Sequence, residues 1–211
     1  MLRPVGTPLP LGFLGLMLAT TGFSALQLHW IPITEGHLIA IAVLAFSVPL
    51  QLVACVFGFL ARDPVAGTGM GLLAGTWAAL AVITVTSPPG THTGALGVVL
   101  LTAAAAMLVP ASVAAGKLVA AAVMLTSGLR YAVTGVYELT ASPAWGTAAG
   151  VIGILLAVAA LYAAFGFELE GARRRTVLPL LRRGAGRSAM HDDFATQVAD
   201  AAHEAGIRKQ L

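Results

Sequence analysis

The chain has 211 residues, 58% of them hydrophobic and only 10% charged, with a formal net charge of +3 and a mean hydropathy of +0.88. A soluble domain carries about 25% charged residues, so most of this surface is not built to meet water. The single cysteine, Cys55, excludes a disulfide framework and a cysteine-based metal site.

A bilayer core needs about 20 apolar residues per spanning helix, and six such runs can be read along the chain. They are Leu9–Trp30, His37–Leu60, Val65–Ser87, Gly94–Ala115, Leu118–Leu139 and Ala144–Glu168. The first is longer than the apolar region of a signal peptide and ends in the interfacial pair His29-Trp30, so it reads as a retained helix. Pro32, Arg62-Asp63-Pro64, Pro88-Pro89-Gly90, Gly116-Lys117 and Ser142-Pro143 punctuate the runs, because Pro lacks a donor and Gly costs chain entropy. The runs are apolar all round rather than alternating, which excludes an outer-membrane barrel. The expected fold is all-α: a polytopic bundle of six transmembrane helices with a short helical cytoplasmic tail.

Lys and Arg assign the sides. With six spans, Arg3, Arg62, Lys117, Arg173, Arg174, Arg175, Arg182, Arg183, Arg187, Arg208 and Lys209 all fall on one side. A basic excess marks the cytoplasm, so both termini are expected inside a plasma membrane. The expected organisation is a cytoplasmic N-terminus over 1–8, the bundle over 9–168, and a basic juxtamembrane segment and tail over 169–211. Asp192 or Asp193 can cap a short amphipathic helix reaching about Ala205, with Phe194, Val198 and Ala201 on one face.

Small residues mark helix contacts, since lipid supplies no hydrophobic drive between helices. Gly67, Gly71 and Gly75 follow one another at four-residue steps, and Gly12 and Gly15 sit on the first helix. They serve packing within a protomer or between protomers.

No catalytic constellation is visible. None of the five histidines, His29, His37, His92, His191 and His203, has the partner spacing of a helical metal site, and no phosphate-binding loop occurs. Neither an enzyme nor a cofactor is expected. The histidines at the helix ends are ordinary interfacial residues or a pH response at the outer mouth.

Arg130 is the strongest chemical signal. A charge at depth in a membrane helix costs at least ~2.5–3.5 kcal/mol on insertion scales, so it faces a partner or a water-filled cavity. Thr126, Arg130, Thr134 and Glu138 recur at four-residue steps, flanked by Ser127 and Tyr137, and form one polar stripe. Arg130 is then either an anion contact on an aqueous path or half of an internal ion pair with Glu138 or Glu35. Thr20, Thr21, Ser24, Gln27, Ser47, Gln51 and Thr76 can complete the path, and Pro49 can bend the second helix beside Gln51.

The first helix opens with Thr7-Pro8-Leu9-Pro10-Leu11-Gly12, and the sixth leads into Arg175-Thr176-Val177-Leu178-Pro179. The first resembles the Asn-Pro-Ala-Pro-Leu-Gly signature of the acetate uptake transporter family, the YaaH group. The second resembles that family's Gly-Arg-Thr-Val-Leu-Pro segment. Gln51 and Trp77 match a glutamine and a tryptophan between them, so the resemblance spans roughly residues 7–181. It implies six helices per protomer, a homohexamer, and a pore within each protomer for small carboxylates such as acetate or succinate. It also implies a constriction at Leu16, Leu73 and Leu125, where the family has Phe, Tyr and Leu.

The departures are Thr7 for the signature asparagine, Gly58 for an acidic residue, and Arg130 where the family has a small or apolar side chain. The expected function is a passive or proton-coupled carboxylate pathway with Gln51, Thr126 and Arg130 as its polar contacts. The alternatives are a membrane sensor or scaffold acting through the tail, and a channel for a small neutral solute.

Overall fold

A computed structural model of the chain describes residues 6–173, 175–184 and 187. The helix expected between Asp192 and Ala205 lies outside them, as do Arg3 and His203.

Six helices are long and apolar enough to cross a membrane. They are α1 (Leu9–Gln27), α2 (Ile33–Leu60), α3 (Pro64–Thr86), α4 (Gly94–Gly116), α5 (Leu118–Thr140) and α6 (Pro143–Arg173). No strand occurs among the described residues. In lipid every backbone N–H and C=O must be satisfied within the segment, and a helix does this for each span.

The chain's own punctuation sets the ends. Asp63 accepts from Ala66 N–H at 3.2 Å with Pro64 as the first helical residue of α3, so cap and proline act together. Thr93 accepts from Leu96 N–H at 3.3 Å and starts α4. Three ends differ from expectation by three residues or more: α1 stops three residues before Trp30, α2 begins at Ile33 instead of His37, and α6 continues past Glu168 to Arg173.

The second span is not one regular helix. A 3-10 turn (Ile33–Glu35) leads into α-helix (Gly36–Ala42), then a π turn (Val43–Ser47), then α-helix again (Val48–Leu60). Pro49 has no N–H for the carbonyl of Ala45, and its ring crowds that carbonyl, so the ladder changes register just before it. The bend expected from Pro49 is therefore a π turn, with Ser47 and Gln51 buried beside it.

Each helix packs on its neighbours in sequence, and α6 packs on α1, so the six close into a ring. Where backbones approach, glycine makes room. A Cβ on Gly58 of α2 would lie 2.5 Å from Gly67 N of α3. Gly12 faces Met70, Gly15 faces the Ser47 carbonyl and Gln51, and Gly71 faces Cys55, all within the protomer. Gly75 faces open space.

The ring has two unlike ends. Arg62, Lys117, Arg182 and Arg183 sit at the basic end, where Asp63 pairs with Lys117. Residues after α6 fold back across this end. Tyr162 donates to the Pro179 carbonyl at 3.1 Å, Leu180 is 1% exposed, and Arg182 meets Glu170 at 2.7 Å. The Arg183 N–H donates to the Gly116 carbonyl at 3.1 Å. The other end, the histidine end, carries His29, His37 and His92.

Candidate vestibule and the Arg130 site

α1, α3 and α5 run in the same direction, from the basic end to the histidine end, and supply the most polar part of the interior. Near the histidine end a cavity of about 270 Å³ opens between them. Its walls include Phe23, Leu26, Leu80, Ile83 and Leu96, and its polar lining includes Gln27, His37, His92, Arg130, Thr134 and Glu138.

Arg130 is wholly buried. Its Nη2 donates to Ser24 Oγ at 3.1 Å, and at 3.4 Å to both the Thr20 carbonyl and Gln27 Oε1, all on α1. Its Cζ stands 5.2 Å from the centre of the Trp77 ring, an arrangement in which the ring face attracts the cation. Its Nε has no hydrogen-bond partner among the described residues. These contacts orient the guanidinium but supply no negative charge.

Gly153 makes this arrangement possible. A Cβ there would collide with Ser24 Oγ and Arg130 Nε. Thr20 Oγ1 donates to the Gly153 carbonyl at 3.3 Å. The absence of a side chain on α6 thus leaves the space that the guanidinium fills.

The ion pairs expected for Arg130 do not form. Glu138 instead accepts from Thr93 N–H at 3.1 Å and lies 3.7 Å from His92 Nδ1. Its position two turns beyond Arg130, at the start of the α3–α4 loop's contact with α5, turns it to the loop. Glu35 is exposed in the 3-10 turn before the rest of α2. Among the described residues, Arg130 meets no carboxylate.

Trp77 is flanked by Phe23, with ring centres 5.7 Å apart, and by Tyr131 at 5.8 Å. Several buried polar atoms here have no hydrogen-bond partner among the described residues: Trp77 Nε1, Thr134 Oγ1, Ser47 Oγ and both amide atoms of Gln51. A buried polar group without a partner costs about 1–3 kcal/mol. Such a concentration is expected where a protein handles water or a polar solute.

The polar residues expected on other helices divide cleanly. Thr20, Ser24, Ser47, Gln51 and Thr76 are buried, and Gln27 reaches Arg130. Thr21 faces outward and returns its hydroxyl to the Met17 carbonyl at 2.7 Å.

The expected stripe on α5 is shorter than its spacing suggested. Arg130, Thr134 and Glu138 line the cavity, but Thr126 does not. Its hydroxyl donates back to the Ala122 carbonyl at 2.8 Å on an exposed face. Four-residue steps drift by about 40° each around a helix, and at Thr126 the drift has carried the side chain off the interior.

The expected constriction needs the same correction. Leu16 and Leu73 are fully buried, whereas Leu125 is 51% exposed on the outer face of α5. Its neighbour Met124 is fully buried and lies against Gly69 of α3. One residue turns a helix by about 100°, so a single-position shift in matching this helix exchanges an inward residue for an outward one.

Two participants were not anticipated. Tyr131 follows Arg130 directly and falls four residues after Ser127, a signal that was available. Gly153 is one of 24 glycines, and nothing in the chain sets it apart.

No family model matches the chain, and no curated protein matches it in sequence. The fold is similar to that in the structure of the bacterial acetate channel SatP, with a TM-score of 0.74 at 21% identity, covering 83% of this chain and 99% of that one.

Proposed function

We propose that this protein is a channel or transporter for small carboxylates such as acetate or succinate, with a pathway through each protomer. It is a divergent member of the acetate uptake transporter group. The observation that carries this reading is Arg130: a buried guanidinium with no carboxylate beside it, at a cavity opening to the histidine end. A guanidinium is charged under any ordinary condition, and an isolated buried charge is costly. A passing anion supplies the missing counter-charge. A pathway for a neutral solute gains nothing from that cost, so the carboxylate reading is preferred to it.

Gln51 and the unpaired hydroxyls beyond Arg130 offer further contacts, and Leu16 and Leu73 narrow the path towards the basic end. The basic end faces the cytoplasm by the excess of Lys and Arg, so the vestibule faces outward from the plasma membrane. Assembly as a homohexamer rests on the family resemblance.

Uptake of labelled acetate into liposomes, compared for the wild type and Arg130→Gln, tests the reading. Flux should fall about tenfold or more, the scale of losing a charge-assisted contact, while the melting temperature moves by only a few degrees. Undiminished flux in Arg130→Gln would reject the role assigned to the guanidinium.

A further inference from the structure

The vestibule has a second charged group that the carboxylate reading does not use. Glu138 lines the same cavity as Arg130, eight residues further along α5, which is about 12 Å at the helical rise. It is held there by Thr93 N–H at 3.1 Å, with His92 Nδ1 at 3.7 Å. An anion seated on Arg130 therefore has a carboxylate of the protein on the open side of its site. The cavity that holds both charges has apolar walls at Phe23, Leu26, Leu80 and Ile83, with Gln27, Thr84, Thr134 and Tyr137 as neutral polar members of the lining.

We propose that this vestibule favours short aliphatic monocarboxylates over dicarboxylates, with Glu138 as the specificity-determining residue. This rests on the carboxylate reading above and narrows its substrate class.

Size alone does not discriminate. A cavity of about 270 Å³ equals roughly nine water volumes, enough for a four-carbon acid of either kind. Charge and polarity do. A monocarboxylate puts its anionic end on Arg130 and its alkyl tail against the apolar walls. A dicarboxylate of the same length must place its second carboxylate among those walls and towards Glu138. It meets a like charge there and gives up part of its hydration. Discrimination then comes from an element placed against the wrong solute, as well as from one that binds the right solute. His37, His92 and Tyr137 are the other titratable groups lining the cavity. The comparison is made at about pH 8, where both test acids are fully ionised.

The experiment is flux of labelled butyrate and labelled succinate through purified protein in liposomes. In the wild type, succinate should pass about tenfold more slowly, the scale set by like charges several ångströms apart in a partly hydrated site. Glu138→Gln keeps an acceptor for Thr93 N–H and removes the charge, so the succinate-to-butyrate ratio should rise about tenfold. Equal wild-type rates, or an unchanged ratio in Glu138→Gln, would overturn the proposal and leave the carboxylate pathway standing. If the variant does not fold, competition in the wild type decides. Unlabelled butyrate should slow labelled acetate, and succinate at equal concentration should not. Equal competition would overturn the proposal, and no carboxylate flux at all in the wild type would remove both readings together.

Discussion

On α1 the buried polar residues Thr20 and Ser24 come after Leu16, and the buried residues before it include Leu9 and Phe13. α3 changes character in the same way at Leu73, with Met70 before it and Thr76 and Trp77 after it. α5 changes at Met124, with Ala120 and Val123 before it and Ser127, Arg130, Tyr131 and Thr134 after it. Three parallel helices thus pass from apolar to polar at one level, between six and nine residues from their starts, or roughly 9–14 Å along the axis.

The half beyond that level is spacious and carries a charge. The half before it is filled by large apolar side chains, and Phe13 lies 6.2 Å from Phe167 of α6, ring centre to ring centre. A polar vestibule that ends on a dry apolar stretch is what a gate working by exclusion of water requires. A channel polar along its whole length would leak, and one dry along its whole length would bind nothing. On the carboxylate pathway proposed above, specificity and closure belong to different halves of one ring, and substitutions should separate them.

The largest effect is expected in the apolar half. Leu73→Ala removes a fully buried side chain at the level where the lining changes. Buried Leu→Ala changes cost about 2–5 kcal/mol. The low end applies here because the unfolded reference lies in lipid, not in water. If the cavity stays open, the dry stretch shortens, and carboxylate flux should rise or longer acids should pass. Leu125→Ala is the matched control, since its side chain lies on the outer face and its loss should leave flux unchanged. Liposome flux and melting temperature on both variants check this. Equal behaviour of the two would move the gate away from Leu73.

The next effect falls on the polar half. Gly153→Ala places a methyl group where Ser24 Oγ and Arg130 Nε already are. Overfilling a packed site costs about 1–3 kcal/mol, and here the group that must yield is the guanidinium. Acetate flux should drop about tenfold, as for loss of the charge-assisted contact itself, although the charge is still present. Full flux in a folded Gly153→Ala protein would show that the position of Arg130, as distinct from its charge, does not matter.

This position also shows where sequence reasoning runs out. The six spans were legible because length, hydropathy and Pro or Gly punctuation are local properties, and each span carries them. Arg130 was legible because a charge at depth stands out against any apolar helix. Rotation about a helix axis was not. With apolar residues on every face, as lipid allows, hydropathy cannot say which side is inside, and Leu125 and Thr126 were turned inward when they face out. Partnership was equally hidden. Glu138 lies two turns from Arg130 on the same helix, yet the α3–α4 loop takes it through Thr93. A glycine's significance depends on what stands opposite, and for Gly153 that is a residue of α5 more than twenty positions earlier.

The smallest expected effect distinguishes two threonines that the spacing had made equivalent. Thr134 is 4% exposed, lines the vestibule, and has a hydroxyl with no hydrogen-bond partner among the described residues. Thr126 donates its hydroxyl to the Ala122 carbonyl at 2.8 Å on an exposed face. Valine has nearly the same shape as threonine, so each Thr→Val change removes a hydroxyl and little else. At Thr134 the lost group was desolvated and unpaired, so stability should rise by up to about 1 kcal/mol. Flux should fall about two- to threefold if that hydroxyl contacts the passing anion or its water, a loss of the size of one neutral hydrogen bond. At Thr126 the lost bond returns to its own helix, so flux should not change, and stability should move by no more than about 0.5 kcal/mol. Flux and thermal melts of the two single variants, each against the wild type, are sufficient. A fall in flux for Thr126→Val, or none for Thr134→Val, would mean that the interior face of α5 is turned from the position described here, and the boundary at Met124 would have to be redrawn with it.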